Sequence, residues 1–185
     1  MRHPQITVSL TVAGSGDAAA MVSGDEADIA LVFDVRVPRN ARRLAAAMLP
    51  MGVVVPPESR LARLSPLRIY DLAGERVILS DGSLTLGASI EEAFGRGGVE
   101  VRPRARTNSI DLMIELARRG LGTLLQTRIG LERAPAQGDL VFLPVADGRM
   151  SPRRLTLIGR AKSEMSEAAN ALAESLARAV DRLDP

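Results

Sequence analysis

Apolar and polar residues change rhythm several times along this chain, and each rhythm predicts an element. Ile6, Val8, Leu10 and Val12 alternate with Thr7, Ser9 and Thr11, the period of a half-buried strand. Gly14-Ser15-Gly16-Asp17 ends that strand, and Asp17 is placed to cap a short helix through Val22. After Asp25-Glu26-Ala27-Asp28 comes the unbroken apolar run Ile29–Phe33. It reads as a buried parallel strand entered from a polar turn. Asp34–Arg43 carries Pro38 and reads as a loop, while Leu44–Leu49 and Gly52–Val55 are strand-like on either side of Pro50. The stretch Pro56–Pro66 is irregular, and Ile69–Leu72 looks like one helical turn.

The second half alternates more regularly. Val77–Leu79 is a short strand ending in Ser80-Asp81-Gly82-Ser83. Ile90, Ala93 and Phe94 recur at helical spacing within a helix over Ser89–Gly95. Val101–Arg106 is extended, Asn108 or Ser109 caps a helix over Ile110–Arg119, and Gly120 ends it as the residue after its C-cap. Leu121–Leu125 predicts a strand, Thr127 to about Arg133 a short helix, and Leu140–Val145 and Leu155–Arg160 two more strands. Ser166 caps a last helix to about Arg182, with Glu167 near the positive end of its dipole. Strands alternating with helices imply an α/β layered fold with mainly parallel sheets.

Composition narrows the chemistry. The 185 residues are 46% hydrophobic but only 2% aromatic, so the core is built from Ala, Leu, Val and Ile. The absence of Cys excludes disulfides, thiolate metal sites and thiol nucleophiles. His3 is the single His and lies near a terminus, which removes His-based metal sites and triads. No cofactor and no metal are expected. The net charge is +2 with a pI near 9.9. The cations are spread along the chain, and the loose cluster Arg36, Arg39, Arg42 and Arg43 reads as a solvated connection, so a nucleic-acid surface is not indicated. With no apolar leader and no transmembrane-length run, a soluble cytoplasmic protein without membrane partners is expected.

In open α/β sheets ligands sit beyond the carboxyl ends of strands, against helix N-termini whose free N–H groups favour anions. Three loops qualify: the one at Ser15, the one running through Ser80-Asp81-Gly82-Ser83-Leu84-Thr85, and Thr107-Asn108-Ser109. Each offers hydroxyls or amides without a strong acid or base, which suits holding a small, anionic metabolite and not transforming it. The alternative is that these residues are helix caps only. Arg102, Arg104 and Arg106 alternate at a period of two and so share one face of an extended segment. They form either a charge-protected edge or a contact between subunits.

Taken in order, these segments resemble a known family. Asp25-Glu26-Ala27-Asp28-Ile29-Ala30-Leu31-Val32-Phe33 is followed by Leu49-Pro50-Met51-Gly52-Val53-Val54-Val55 and Pro56-Pro57-Glu58-Ser59-Arg60-Leu61-Ala62. Then come Thr107-Asn108-Ser109-Ile110-Asp111-Leu112-Met113, Ala117-Arg118-Arg119-Gly120-Leu121-Gly122, Gly138-Asp139-Leu140-Val141-Phe142-Leu143-Pro144-Val145 and a closing Ser166-Glu167-Ala168-Ala169 helix. The ordered series, from about Pro4 to Leu183, resembles the effector-binding domain of LysR-type transcriptional regulators.

The resemblance implies two Rossmann-like lobes of the type-2 periplasmic-binding-protein kind. Lobe I is residues 1–52 plus 150–185, and lobe II is 53–149. It implies an effector lying between the lobes, touching the loops at Ser15, Ser83, Leu84, Thr85, Asn108 and Ser109. It also implies contacts at the strand end at Phe33 and Asp34, and at the segment holding Gln126, where many relatives have a Pro. It implies a homodimer or larger assembly formed along outer segments such as the one bearing Arg102, Arg104 and Arg106.

Family members normally begin with a winged helix-turn-helix, a linker helix, and then the first strand and helix of the effector domain. The chain aligns after all of these. The expectation is a first lobe missing its opening strand and helix, a module that does not itself read DNA, and two strand edges, Gln5–Val12 and Asp28–Phe33, left facing each other. A free-standing cytoplasmic solute-binding protein is the second reading. An enzyme on the same fold is the third, with no spacing that assembles an acid, base or nucleophile.

Overall fold

Val77, Ile78 and Leu79 are buried in succession, which requires cover on both faces of their sheet. That cover is present in the computed structural model, which describes residues 5–81, 85–129, 138–161 and 164–183. The chain divides into two compact units. The middle unit is Leu49–Arg153, and the terminal unit is Met1–Met48 with Arg154–Pro185.

The middle unit is built on a five-stranded sheet. Its strands are β3 (Met51–Val55), β4 (Arg76–Ser80), β5 (Arg102–Thr107), β6 (Thr123–Thr127) and β7 (Val141–Pro144), in the order β5-β4-β6-β3-β7. Alternate residues go to opposite faces. Val53, Val77, Leu79 and Leu125 pack with Ile90, Ala93 and Phe94 of α2 (Thr85–Gly97) and with Leu61, Ile69 and Leu72 of two short 3-10 helices. Val54, Ile78 and Leu124 pack with Met113, Ile114 and Ala117 of α3 (Ile110–Arg118). Each Val, Leu, Ile, Met or Phe side chain among them that is fully removed from water contributes about 1.5–3 kcal/mol. The single tyrosine, Tyr70, lies on one of the 3-10 turns with the Arg149 guanidinium 5.4 Å from its ring centre.

The terminal unit has a three-stranded sheet in the order β1-β8-β2, from β1 (Ile29–Phe33), β2 (Arg42–Leu49) and β8 (Arg153–Gly159). On one face Val32 and Ile158 meet Ala19 and Val22 of α1 (Ser15–Ser23). On the other, Ile29 and Leu44 meet Met165, Ala169 and Ala173, the last two on α4 (Glu167–Asp181). Ser166 caps α4 by accepting from the Ala169 N–H at 3.1 Å.

Four expectations are corrected. The sheets are mixed: β4 pairs in parallel with β5 and β6, whereas β1–β8, β3–β6 and β3–β7 are antiparallel. Parallel pairing needs a crossover, and the parallel pairs are those of the β4–α2–β5–α3–β6 run. The first strand is absent: residues 6–14 have no regular structure. Val8, Leu10 and Val12 are 57%, 84% and 86% exposed, because among the described residues no strand lies beside them to form a ladder. The N-cap of α1 is Gly14, and Asp17 lies in the first turn instead, where its charge complements the dipole. Finally, β5 carries a bulge. Pro103 aligns with Val77 and Ala105 with Ile78, leaving Arg104 unmatched. Arg102 therefore shares the face of Arg76, and Arg106 the opposite face with Leu79, so the three arginines do not line one face. The short helix expected from Thr127 to Arg133 lies mostly outside the described residues. Thr127 itself ends β6.

Candidate functional site

Parallel pairing of β4 with β5 and with β6 brings three carboxyl ends side by side at Ser80, Thr107 and Thr127. The Asp81 N–H donates to the Thr107 carbonyl at 3.2 Å, which ties the loop entering α2 to the loop entering α3. At the second loop the Ser109 N–H donates to Thr107 Oγ1 at 3.1 Å, and Ser109 Oγ accepts from the Leu112 N–H at 3.3 Å. The Ser109 hydroxyl is thus a helix cap. Asn108, directly before it, is exposed, and its amide makes no hydrogen bond to another described residue. It stands at the positive end of α3 with both donors and its acceptor open to a ligand.

The remaining expected positions divide. Gln126 is buried, and its Nε2 donates to the Ile129 carbonyl at 3.2 Å, so half of its amide serves the local turn. Thr85 is the first residue of α2, and Ser83 and Leu84 lie outside the described residues. In the terminal unit the structure joins the other three. Ser15 Oγ accepts from the Phe33 N–H at 3.0 Å, pinning the start of α1 to the end of β1. Asp34 follows with φ 49°, in the left-handed region. Its N–H donates to the Arg154 carbonyl at 3.0 Å and its Oδ1 accepts from the Arg154 N–H at 2.9 Å. The polar end of β1 is therefore already committed to holding the strand ends together.

Two residues of this region go beyond the sequence reading, which named Ser80 only as the first residue of a candidate loop and Gly87 not at all. Ser80 closes β4 with 1% exposure, and its Oγ has no hydrogen-bond partner among the described residues. A buried hydroxyl left unpaired is costly. Gly87, in the first turns of α2, lies over it: a Cβ there would come within 2.6 Å of the Ser80 carbonyl oxygen and 3.0 Å of its Oγ. The sequence signal was slight, a lone serine ending an apolar strand and a glycine inside a helical pattern. The opposite end of the sheet holds a groove of about 450 Å³ near Glu75, Gly122 and Thr123. Its acid is already engaged, since Glu75 accepts from Arg60 at 2.6 Å and from Thr123 Oγ1 at 3.3 Å.

Ion pairing elsewhere is structural. The Arg119 side chain, then Arg118, holds Glu115 below the ordinary carboxylate range, and Arg118 is raised in turn by Glu115 and Asp139. Asp147 is lowered chiefly by the Arg149 backbone N–H at 3.0 Å, with further help from the Arg149 side chain. Among the described residues there is no cluster of His, Asp or Glu able to hold a metal ion.

The mixed α/β layout is shared with effector-binding domains of other proteins. The family model described as the LysR substrate binding domain matches residues 1–181, and the chain belongs to that family. It is an effector-binding module of the LysR-type regulators. It is 27% identical over 164 residues to the HTH-type transcriptional regulator BbuR of Bordetella bronchiseptica, which covers 88% of this chain and 50% of that protein. The chain thus spans about half the length of that regulator. In fold it is similar to the regulatory domain of Synechocystis PCC6803 CcmR, solved in complex with 2-PG, with a TM-score of 0.76 at 20% identity over 100% of this chain and 88% of that one. It is also similar to the effector-binding domain of QuiR, solved in complex with shikimate, with a TM-score of 0.73 at 17% identity over 100% and 86%.

Proposed function

We propose that this effector-binding module senses a small carboxylate-bearing metabolite in the cytoplasm, acts without catalysis, and works as a homodimer. The observation that carries the reading is Asn108. Its exposed amide stands unengaged at the N-terminus of α3, beside the carboxyl ends of three parallel strands. A carboxylate placed there meets backbone N–H groups and the positive end of a helix dipole. QuiR, similar in fold, was solved with shikimate, itself a carboxylate. Ser80 adds a buried hydroxyl to the same strand end. The homodimer is proposed from the family, with Arg102 and Arg104 exposed on the outer strand β5. Arg106 is the weakest of the three expected contacts, because it is paired with Glu91.

Thermal shift across a library of small carboxylates tests this. Ligands that bind the folded chain raise its melting temperature, with a stabilisation that grows as the logarithm of ligand concentration over Kd. Hits that weaken on Asn108→Ala support the reading. Hits indifferent to Asn108→Ala place the ligand elsewhere, and a library without hits removes it.

A further inference from the structure

The groove at the far end of the middle sheet, away from Asn108, holds two opposite charges that nothing answers. Strand ends make its floor. β6 starts beside β4, since the two run parallel with Val77 opposite Thr123. Antiparallel β3 brings its last residues to the same end. The order β4-β6-β3 sets two strand spacings, about 10 Å, between the start of β4 and the end of β3. Arg76 is the first residue of β4. Beyond β3 the Ser59 N–H donates to the Pro56 carbonyl at 3.0 Å, closing a turn that carries Glu58. Arg76 and Glu58 both line the groove of about 450 Å³ and both are exposed. Neither side chain has an ion-pair or hydrogen-bond partner among the described residues. The other acid there, Glu75, is neutralised by Arg60. The backbone at Arg76 is held firmly, because Gly122 lets β6 press against it: a Cβ there would come within 2.9 Å of the Arg76 carbonyl oxygen.

An anion drawn to Arg76 meets Glu58 in the same groove, and a cation drawn to Glu58 meets Arg76. A ligand carrying both charges satisfies both. We propose that the groove is a small-molecule site for a free aliphatic α-amino acid, bound as its zwitterion. The Arg76 guanidinium takes the carboxylate, and the Glu58 carboxylate accepts from the ammonium group. The adjoining charges of an α-amino acid, with a hydrogen bond of about 2.9 Å at each end, span a gap of this order. Pro56 and Leu121, the latter 39% exposed, give the side chain an apolar wall. The volume is that of a small-molecule site. This inference stands apart from the effector reading, since none of its residues belongs to the loop at Asn108.

Isothermal titration calorimetry with L-leucine tests it, beside N-acetyl-L-leucine, which lacks the amine charge, and L-leucinamide, which lacks the carboxylate. L-leucine should bind saturably at millimolar concentration, and each derivative about tenfold or more weakly. Glu58→Gln and Arg76→Gln should each weaken L-leucine by a similar factor. Both positions are exposed, so the melting temperature without ligand should stay as it is. Asn108→Ala should leave L-leucine binding unchanged, and in amide NMR spectra the signals of Gly120 and Gly122 should move on titration. No binding of L-leucine overturns the proposal. So does binding that N-acetyl-L-leucine matches, which leaves only an anion site, or that L-leucinamide matches, which leaves only a cation site. Binding that survives both glutamine variants also overturns it. Binding that Asn108→Ala abolishes does so too, since the amino acid then occupies the effector site and the reading at Asn108 stands without this one.

Discussion

In the middle unit β4 has a strand on each side and a helix over each face; in the terminal unit β1 has helices over both faces but a strand on one side only. The central side chains of both strands are apolar. Ile78 and Val32 are each fully buried, yet Leu31, one residue from Val32, is nearly half exposed. Burial of a strand is therefore decided by lateral pairing as well as by what covers it. Apolar sequence secures the faces, but an edge closes only when another strand's backbone arrives.

The largest effect that tests this contrast is Ile78→Ala, which should destabilise the middle unit by about 2–5 kcal/mol through lost contacts and a residual cavity. Leu31→Ala, on the open edge, should cost well under that, since half of the side chain is already in water. Chemical denaturation of each variant gives the comparison, and equal losses would break it. Gly87→Ala comes next, at about 1–3 kcal/mol. Its added methyl meets the backbone oxygen of Ser80, so α2 must move off β4. Hits in the carboxylate screen should weaken along with stability.

Hydrogen exchange sharpens the difference without mutation. Amides of β4 and β6 should exchange near the global limit, and those of residues 6–13 within the fastest class. Comparable protection in the two regions would show that the segment is paired after all. Asn108→Ala should change stability little while lowering ligand affinity by about 0.5–1.5 kcal/mol, one hydrogen bond's worth. The smallest effect is from pH. Asp147 sits in the middle unit with its carboxyl lowered when folded. Its contribution is therefore present above the unfolded value near 3.9 and lost as pH falls through the folded value. Asp147→Asn should lower stability modestly at neutral pH, where that contribution is present, and flatten the acid limb below about pH 4, so that the two stability–pH curves converge at low pH.

How much of this was legible beforehand follows from the same contrast. The run from Val77 through Gly120 announced β4, α2, β5 and α3 by period and punctuation, down to a cap at Asn108 or Ser109, which the structure assigns to Ser109, and the helix-ending Gly120 with its positive φ. Local signals suffice where every partner is a sequence neighbour. Ile6–Val12 carried an equally clear alternation and formed nothing, because periodicity records which face is apolar and not whether a ladder is available. The bulge at Arg104 was invisible for a related reason: it exists only in the register between two strands. Within the candidate site, Asn108 and Ser109 were foreseen as loop residues at a helix start. Their division of labour, one capping and one left open, depends on which oxygen reaches the Leu112 N–H. Ser80 was named as the start of a candidate loop, but its unpartnered state was not legible, because a serine ending an apolar strand looks the same whether its hydroxyl is satisfied or not.

Tyr70 carries a practical consequence. The chain has one tyrosine and no tryptophan, and that tyrosine belongs to the middle unit. Ultraviolet emission from the native protein therefore comes almost wholly from one half of it, through a ring that is 54% exposed beside the Arg149 guanidinium. A fluorescence melt watches the five-stranded half and is blind to the three-stranded one. Replacing Phe33 with tryptophan would give the silent half a colour of its own, and the two halves could then be followed in a single cuvette.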